Sequence, residues 1–390
     1  MKTGLFMLAL AYVLSQFFRA FLAVLTAPLQ ADPGIGPDVL ATASGLWFLS
    51  FACMQIPVGW ALDTVGPRRT AGWLLLIGGG GGAALFAAAQ GPLYIYGAML
   101  LIGVGCSPVL MASFYIFARS FPPARFATLA ALMIGVGTVG NLISSYPMAL
   151  AADTIGWRTS LWVLAAACTG VALGILASVQ DPGKPEGETR GSLLDLLRMP
   201  ALWLILPIMF VNYAPIGAVR GLWIGPYLTD VFALSVAQVG IGTLVMSLAM
   251  IAGTLTYGPL DRILGTRKWV AFGGNAITVT LLVILITVSA RDPWLSVALM
   301  AAIGFFGASF PVIIAHARAL FPPHLTGRGV TLMNLFGIGG VGLVQFASGR
   351  IHTAWSGGAP EAPYVAIFAF IAMAIAAGLL FYVWSRDTRD

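Results

Sequence analysis

Residues 118–140 read ARSFPPARFATLAALMIGVGTVG, and residues 317–340 read ARALFPPHLTGRGVTLMNLFGIGG. Both open on Ala-Arg, turn at Phe-Pro-Pro and close on glycines, roughly 200 residues apart. Each carries an apolar run behind its proline pair, and a helix needs roughly 20 apolar residues to cross a bilayer. Two such segments at a fixed offset predict a chain built from two similar halves. The rest of the sequence agrees. It is 59% hydrophobic and 9% charged, with mean hydropathy +0.93, whereas soluble domains carry about 25% charged residues. Twelve apolar segments are expected as spans: 3–27, 40–62, 70–89, 92–118, 126–150, 157–179, 201–228, 237–260, 268–290, 294–318, 328–350 and 362–384. Continuous apolarity excludes a transmembrane barrel, whose strands alternate over about 10 residues. The fold class is an all-α polytopic membrane protein in contact with lipid.

The polar stretch 180–200, QDPGKPEGETRGSLLDLLRMP, reads as a linker. It divides the chain into 1–179, a connector 180–200 and 201–390, with six spans on each side. The net charge is +6, but its placement argues against nucleic acid as a partner. With alternating loops, fifteen Lys/Arg, Lys184, Arg190 and Arg389 among them, fall on one side, and only Arg158, Arg291 and Arg350 fall on the other. That bias implies a multi-pass protein of a bacterial inner membrane with both termini cytoplasmic. The first apolar run is longer than the 7–15 residues of a signal h-region, so no cleaved leader is expected. Cys53, Cys106 and Cys168 all fall inside expected spans and suit packing rather than disulfides.

A second repeat lies in the loops. GWALDTVGPRR (59–69) follows the second span, and GPLDRILGTRK (258–268) follows the eighth. The first looks like the signature loop of the major facilitator superfamily, and the second like its reduced copy at the place where that family has one. The resemblance covers the whole chain. It implies two pseudo-symmetric six-helix bundles of the major facilitator fold, with a solute site near the midplane. It also implies a gating role for Gly59, Asp63, Gly66, Arg68 and Arg69, and for Asp261, Arg262, Arg267 and Lys268 in the second copy. A carboxylate at a helix end can hold free N–H groups or arginines in one of two rocking states. Alternatively, the arginines simply hold the loop in the cytoplasm. Three departures from the family pattern stand out. Thr64 replaces a basic residue, Met99 occupies the place of a frequent fourth-helix arginine, and the fifth span lacks the Gly-Pro pair of drug/proton antiporters.

Arg19 and Arg220 belong to neither loop set, because both sit within spans. A charge deep in a bilayer costs about 2.5–3.5 kcal/mol on insertion scales. Tyr12-x6-Arg19 and Tyr213-x6-Arg220 match at an offset of 201. One reading has each arginine snorkel outward or meet backbone carbonyls. The other joins them as an anion clamp, since guanidinium forks suit carboxylate or phosphate. First-helix and seventh-helix arginines resemble those of the organic-phosphate/phosphate antiporters. Tyr12 and Tyr213, on about the same helix face as the arginines, with Gln16 and Asn212, would complete a substrate site. Each tyrosine alone could equally be a packing or interfacial residue.

All fourteen Asp/Glu lie in loops or near span ends, so the usual carboxylate proton carrier is missing. His316, in the tenth span, is the candidate for proton coupling or for a gate; a counter-anion could be exchanged instead. Met246 and Met250 on one face of the eighth helix, with Cys53 and Met54 in the second, make a Cu(I) alternative, although packing explains methionines as well. There is no P-loop, zinc spacing or nucleophile elbow, so no cofactor is expected. The glycine run 76–86 suits close helix packing. The reading is a monomeric secondary transporter, not an enzyme, that imports a small organic anion with or without a proton. Import of a vitamin-like or aromatic solute, Cu(I) import, multidrug efflux and a non-transporting sensor or assembly factor are the alternatives.

Overall fold

The computed structural model describes residues 2–30, 35–121, 123–182, 193–322 and 325–387, without the side chains of 123–128, 131, 193, 194, 326 and 327. Lys184, Arg190, Arg389 and half of the expected connector lie outside the described residues, as do Pro122 and Pro323 of the repeat. Among the described residues there is helix and turn but no strand. The chain divides into two compact units, Met1–Glu188 and Thr189–Asp390.

The first unit holds α1 (Lys2–Phe17), α2 (Leu22–Gln30), α3 (Pro37–Cys53), α4 (Gln55–Thr64), α5 (Pro67–Leu74), α6 (Gly82–Ala87), α7 (Pro92–Cys106), α8 (Pro108–Ser120), α9 (Pro123–Ile143), α10 (Tyr146–Thr154) and α11 (Trp157–Ser178). A π-helical segment, Leu75–Gly81, joins α5 to α6. The second unit holds α12 (Leu193–Leu197), α13 (Leu206–Asn212), α14 (Ile224–Phe232), α15 (Val236–Leu264), α16 (Lys268–Val288), α17 (Pro293–Phe306), α18 (Phe310–Arg318), α19 (Thr326–Trp355) and α20 (Ala362–Tyr382). A second π-helical segment, Pro215–Trp223, precedes α14.

Among the described residues nine helical stretches are long and apolar enough to cross a membrane, and eleven if two bent pairs each count as one span. The expectation was twelve. The remaining segment, 126–150, coincides with α9 and α10, which part at Ser144–Ser145 and do not pass as one span.

Most breaks within the spans have a proline behind them. Proline has no N–H to give to the carbonyl four residues back, and in a bilayer that carbonyl must find another donor. Pro108 forfeits the bond to Val104, and the Ser107 hydroxyl donates to the Val104 carbonyl instead at 2.7 Å. Pro57 lies behind the 40° bend between α3 and α4, and Pro311 behind the non-helical Ala308 between α17 and α18. The bend between α1 and α2, 52°, has neither proline nor glycine at residues 18–21.

Close helix contacts explain the repeated glycines. Between helices in lipid there is no hydrophobic drive, so small residues let backbones meet and collect dispersion energy. A Cβ on Gly140 of α9 would fall 2.0 Å from the Val13 carbonyl oxygen of α1. A Cβ on Gly340 of α19 would fall 1.8 Å from the Phe210 carbonyl oxygen of α13. The first and fifth spans of each unit therefore cross backbone on backbone at equivalent glycines. The glycine run behaves likewise, since a Cβ on Gly78 would lie 2.5 Å from the Leu101 oxygen of α7. A leucine at Gly140 or Gly340 is expected to lower stability by at least about 2 kcal/mol, as overpacking against rigid backbone does. Gly357→Ala, which meets nothing within 4 Å, should leave melting of the purified protein unchanged.

Candidate functional site

Arg19 lies in the break between α1 and α2, where Arg19 N–H donates to the Gln16 carbonyl at 3.4 Å and Ala20 N–H to Phe17 at 3.1 Å. Three phenylalanines pin this turn. Phe17, Phe18 and Phe21 are all buried, with mutual ring-centroid distances of 5.5–5.7 Å, and Phe21 reaches Phe86 at 5.6 Å. The rings take the inward positions of QFFRAF, and Arg19 is left half-buried against α3. Its Cζ stands 5.6 Å from the Trp47 ring and 5.1 Å from Phe51, within cation–π range. Trp47 and Phe51 stack at 5.2 Å. Gly103 fixes that wall, because a Cβ there would strike the Trp47 carbonyl oxygen at 2.4 Å. Among the described residues, three buried atoms here have no hydrogen-bond partner: Arg19 Nε, Gln16 Oε1 and Trp47 Nε1.

Tyr12 is placed differently from the expectation. It is 5% exposed within the core of the first unit, and a Cβ on Gly137 would touch its ring at 2.3 Å. The helical register that would put Tyr12 and Arg19 on one face ends at Phe17, so the shared face does not extend to Arg19.

Arg220 sits in the π-helical segment and is 3% exposed. Pro215 starts that segment, and π-bulges recur at functional positions. Its Nη1 donates to Ser247 Oγ at 2.8 Å, and Ser247 donates on to the Thr243 carbonyl at 2.7 Å. Tyr213 is half-buried and packs on Phe310 at 5.5 Å. Asn212 is fully buried, and its Nδ2 donates to Asn275 Oδ1 at 2.8 Å and to Ser309 Oγ at 3.0 Å. Its amide nitrogen is thus engaged by α16 and by the turn before α18, a node that a one-dimensional reading does not reveal.

In the two loops, Gly66 and Gly265 adopt φ of 97° and 64°, where a side chain is strained. Gly59 and Gly258 carry no such demand, since a Cβ on Gly59 meets only Met111 at 4.0 Å. Asp63 is half-buried, Arg68, Arg69 and Arg262 are exposed, and Asp261 pairs with Arg267 at 3.3 Å. Two carboxylates missed in the sequence bind the turns after these glycines. Asp181, beyond α11, accepts the Arg68 backbone N–H at 2.7 Å. Asp387, beyond α20, accepts the N–H groups of Arg267 and Lys268 at 3.2 and 3.1 Å and the Thr266 hydroxyl. Lys268 Nζ donates to the Val383 carbonyl at 2.6 Å. His316, fully buried, joins the same region, with Nδ1 2.7 Å from the Tyr382 hydroxyl and Nε2 2.8 Å from the Arg386 carbonyl.

The residues of the copper alternative lie in both units. Met246 and Met250 are buried in α15, and Met246 packs on Gly304, while Cys53 is exposed and Met54 half-buried in the other unit. Among the described residues no three His, Cys, Asp or Glu side chains are grouped to hold a metal. Sequence reasoning also missed an aromatic cluster in the second unit. There Trp223 stacks on His352 at 5.1 Å, and the Tyr364 hydroxyl donates to Asp230.

Comparison with known proteins adds an independent line. A family model described as Major Facilitator Superfamily matches residues 8–219 and 208–390. The chain is 22% identical over 373 residues to the probable galactarate/D-glucarate transporter GudP of Bacillus subtilis (strain 168), covering 85% of this chain and 81% of the relative. Its fold matches the crystal structure of a D-xylose-proton symporter with a TM-score of 0.78 at 14% identity, covering 99% and 98% of the two chains. A bacterial homolog of the human lysosomal transporter Spinster matches with a TM-score of 0.74 at 17% identity, covering 98% and 96%.

The Asp387 cap generates a pH test. Partial burial works against ionisation, but the Thr266 hydroxyl and the N–H groups of Lys268 and Arg267 together hold its pKa below the ordinary carboxylate value. A depressed folded-state pKa gives stability that is present above the unfolded value and is lost as pH falls through the folded one. The melting temperature of the purified protein should therefore drop on acidification through the carboxylate range. In Asp387→Asn the same acid limb should be shallower from a lower starting point.

Proposed function

The chain belongs to the major facilitator superfamily, and on that premise we propose that it imports a small organic anion, of the sugar-acid type, across the bacterial inner membrane by alternating access. The observation that carries this reading is the pair Arg19 and Arg220. Each stands within a span at the same place in its half, where a charge costs several kcal/mol unless it is used. Arg19 keeps a buried Nε without a hydrogen-bond partner beside the aromatic wall, and a carboxylate is the group that a guanidinium fork matches best. The relative described as a probable galactarate/D-glucarate transporter supports the same sign of charge.

In this reading Arg19 and Arg220 each hold an anionic group of the solute. Ser247 yields its place on Arg220 when the solute arrives. Asp261–Arg267 and the caps at Asp181 and Asp387 belong to one conformational state and bias the exchange between states. His316, with both ring nitrogens engaged, serves that cap rather than proton transfer. Both termini are cytoplasmic, following the basic loops. The transporter works as a monomer on a solute gradient, a proton gradient or a counter-anion.

Uptake of labelled D-glucarate into proteoliposomes tests the assignment. Arg19→Gln and Arg220→Gln should each reduce initial uptake by about a hundredfold or more, the scale of a lost charge-assisted contact, with unchanged insertion and elution. Wild-type uptake by either variant would remove the clamp.

A further inference from the structure

We infer that the second unit carries a lipid site: a groove on the flank of α13 and α20 seats one acyl chain of an anionic phospholipid, whose phosphate meets Arg198 and Arg386. The site stands whatever solute the chain carries.

The groove has a volume of about 370 Å³, and every residue that lines it is apolar or aromatic. The first and sixth spans of the unit run in opposite directions, so Trp203 of the first lies towards Phe381 of the sixth, and Phe210 towards Ala374. Gly378 lets the two helices meet, since a Cβ there would fall 3.1 Å from Ile208 Cα. Phe336 of α19 supplies a third side. The one side-chain polar atom of the lining, Trp203 Nε1, already donates to the Leu197 carbonyl at 2.8 Å. Trp203 and Phe381 are 52% and 54% exposed, so the groove opens outward at that end.

Its dimensions select the occupant. Trp203 to Val211 is about 12 Å of helix, and one leaflet of hydrocarbon is about 15 Å deep. A volume of about 370 Å³ over that length leaves a cross-section of about 30 Å², whereas a helix is about 10 Å across. An extended hydrocarbon chain fits, and a partner helix does not. A water-borne solute would meet no polar group there. A bare groove among lipid chains would forfeit dispersion contacts.

The open end carries the charge. Trp384, three residues beyond Phe381, is 77% exposed, and with Trp203 it is placed as an interfacial anchor. Arg198 precedes Trp203 by five residues and Arg386 follows Phe381 by five, and both are exposed. The bond from Trp203 to the Leu197 carbonyl holds the backbone next to Arg198 against the groove. The neighbouring carboxylates do not cancel these cations. Asp387 faces the N–H groups of Arg267 and Lys268. Asp195 reaches Arg198 only at 3.8 Å in an exposed pair, a kind that contributes little. Guanidinium groups suit phosphate, and the proposed topology puts this end at the cytoplasmic leaflet, whose anionic lipids attract basic segments.

The groove also adjoins the helix crossing of its unit. Phe210 lines it, and the Phe210 carbonyl is the one pressed on Gly340 of α19. A seated chain therefore braces the first span against the fifth, and a ligand that binds the native state raises its stability.

Native mass spectrometry and melting of the purified full-length protein test the inference, with palmitoyl-oleoyl phosphatidylglycerol, the matching phosphatidylcholine and inorganic phosphate as probes. The wild type should retain one phosphatidylglycerol about twentyfold more tightly than phosphatidylcholine, at about fivefold for each arginine, and should melt higher with it. Arg198→Gln with Arg386→Gln should bring the two lipids to equal affinity. Ala377→Phe, at an exposed lining position, fills the groove and should remove the bound lipid. If that variant does not fold, Ala374→Met should do the same. Phosphate alone should neither bind nor displace the lipid. Equal retention of the two lipids by the wild type, or undiminished retention of phosphatidylglycerol in the groove-filling variants, would overturn the site. Displacement of the lipid by phosphate would overturn it in favour of a free-anion site at the two arginines.

Discussion

The contact of backbone on backbone at Gly140 and Gly340 is the constraint from which the rest of each half follows. Water does not push two apolar helices together in a bilayer, so they must approach closely enough for dispersion to act. Val13 meets Gly140 and Phe210 meets Gly340 at distances that exclude even a methyl group. These contacts seat the first helix of each half against the fifth. Residues one to three turns further along, Gln16 and Arg19 in one half and Tyr213 and Arg220 in the other, inherit their placement from them. The repeated glycines are in that sense a repeat of contact geometry, and the arginines are carried on it.

The two arginines are housed by different means although their sequences match. Around Arg19 the helix opens, three phenylalanines turn inward, and the cation rests on a tryptophan and a phenylalanine. Around Arg220 the helix widens into a π segment, and a serine receives the guanidinium. Both departures from α geometry occur where a long polar side chain must be accommodated among apolar neighbours. In the second half Gln345, wholly buried, donates to the Gly217 carbonyl inside the widened segment at 3.3 Å, so the irregular backbone does not stand unserved.

Much of this was legible in the sequence because a bilayer permits few solutions. Length and apolarity disclose the spans, and the proline-glycine pattern at 118–140 and 317–340 discloses the halves. The glycines at 66 and 265 mark turns that only glycine makes easily. What stayed hidden depends on partners distant along the chain. Nothing in QFFRAF announces a helix break, since it has no glycine or proline; the packing of Phe21 on Phe86 makes the break worthwhile. Asn212 looked available for a solute until Asn275 and Ser309, 63 and 97 residues away, were seen to hold its amide. Trp47 carried no signal at all, because an unanswered indole N–H exists only once the helices around it are in place.

The carboxylates at Asp181 and Asp387 bear on how such a chain could arise. Each follows the last helix of its half and closes back on the turn that begins the third. A segment of about 180 residues that ends in this way already contains the group that finishes it. Duplicating one such gene copies a completed unit, ready to be joined tail to head. Later drift can then dress the two arginine sites differently without reopening either seam.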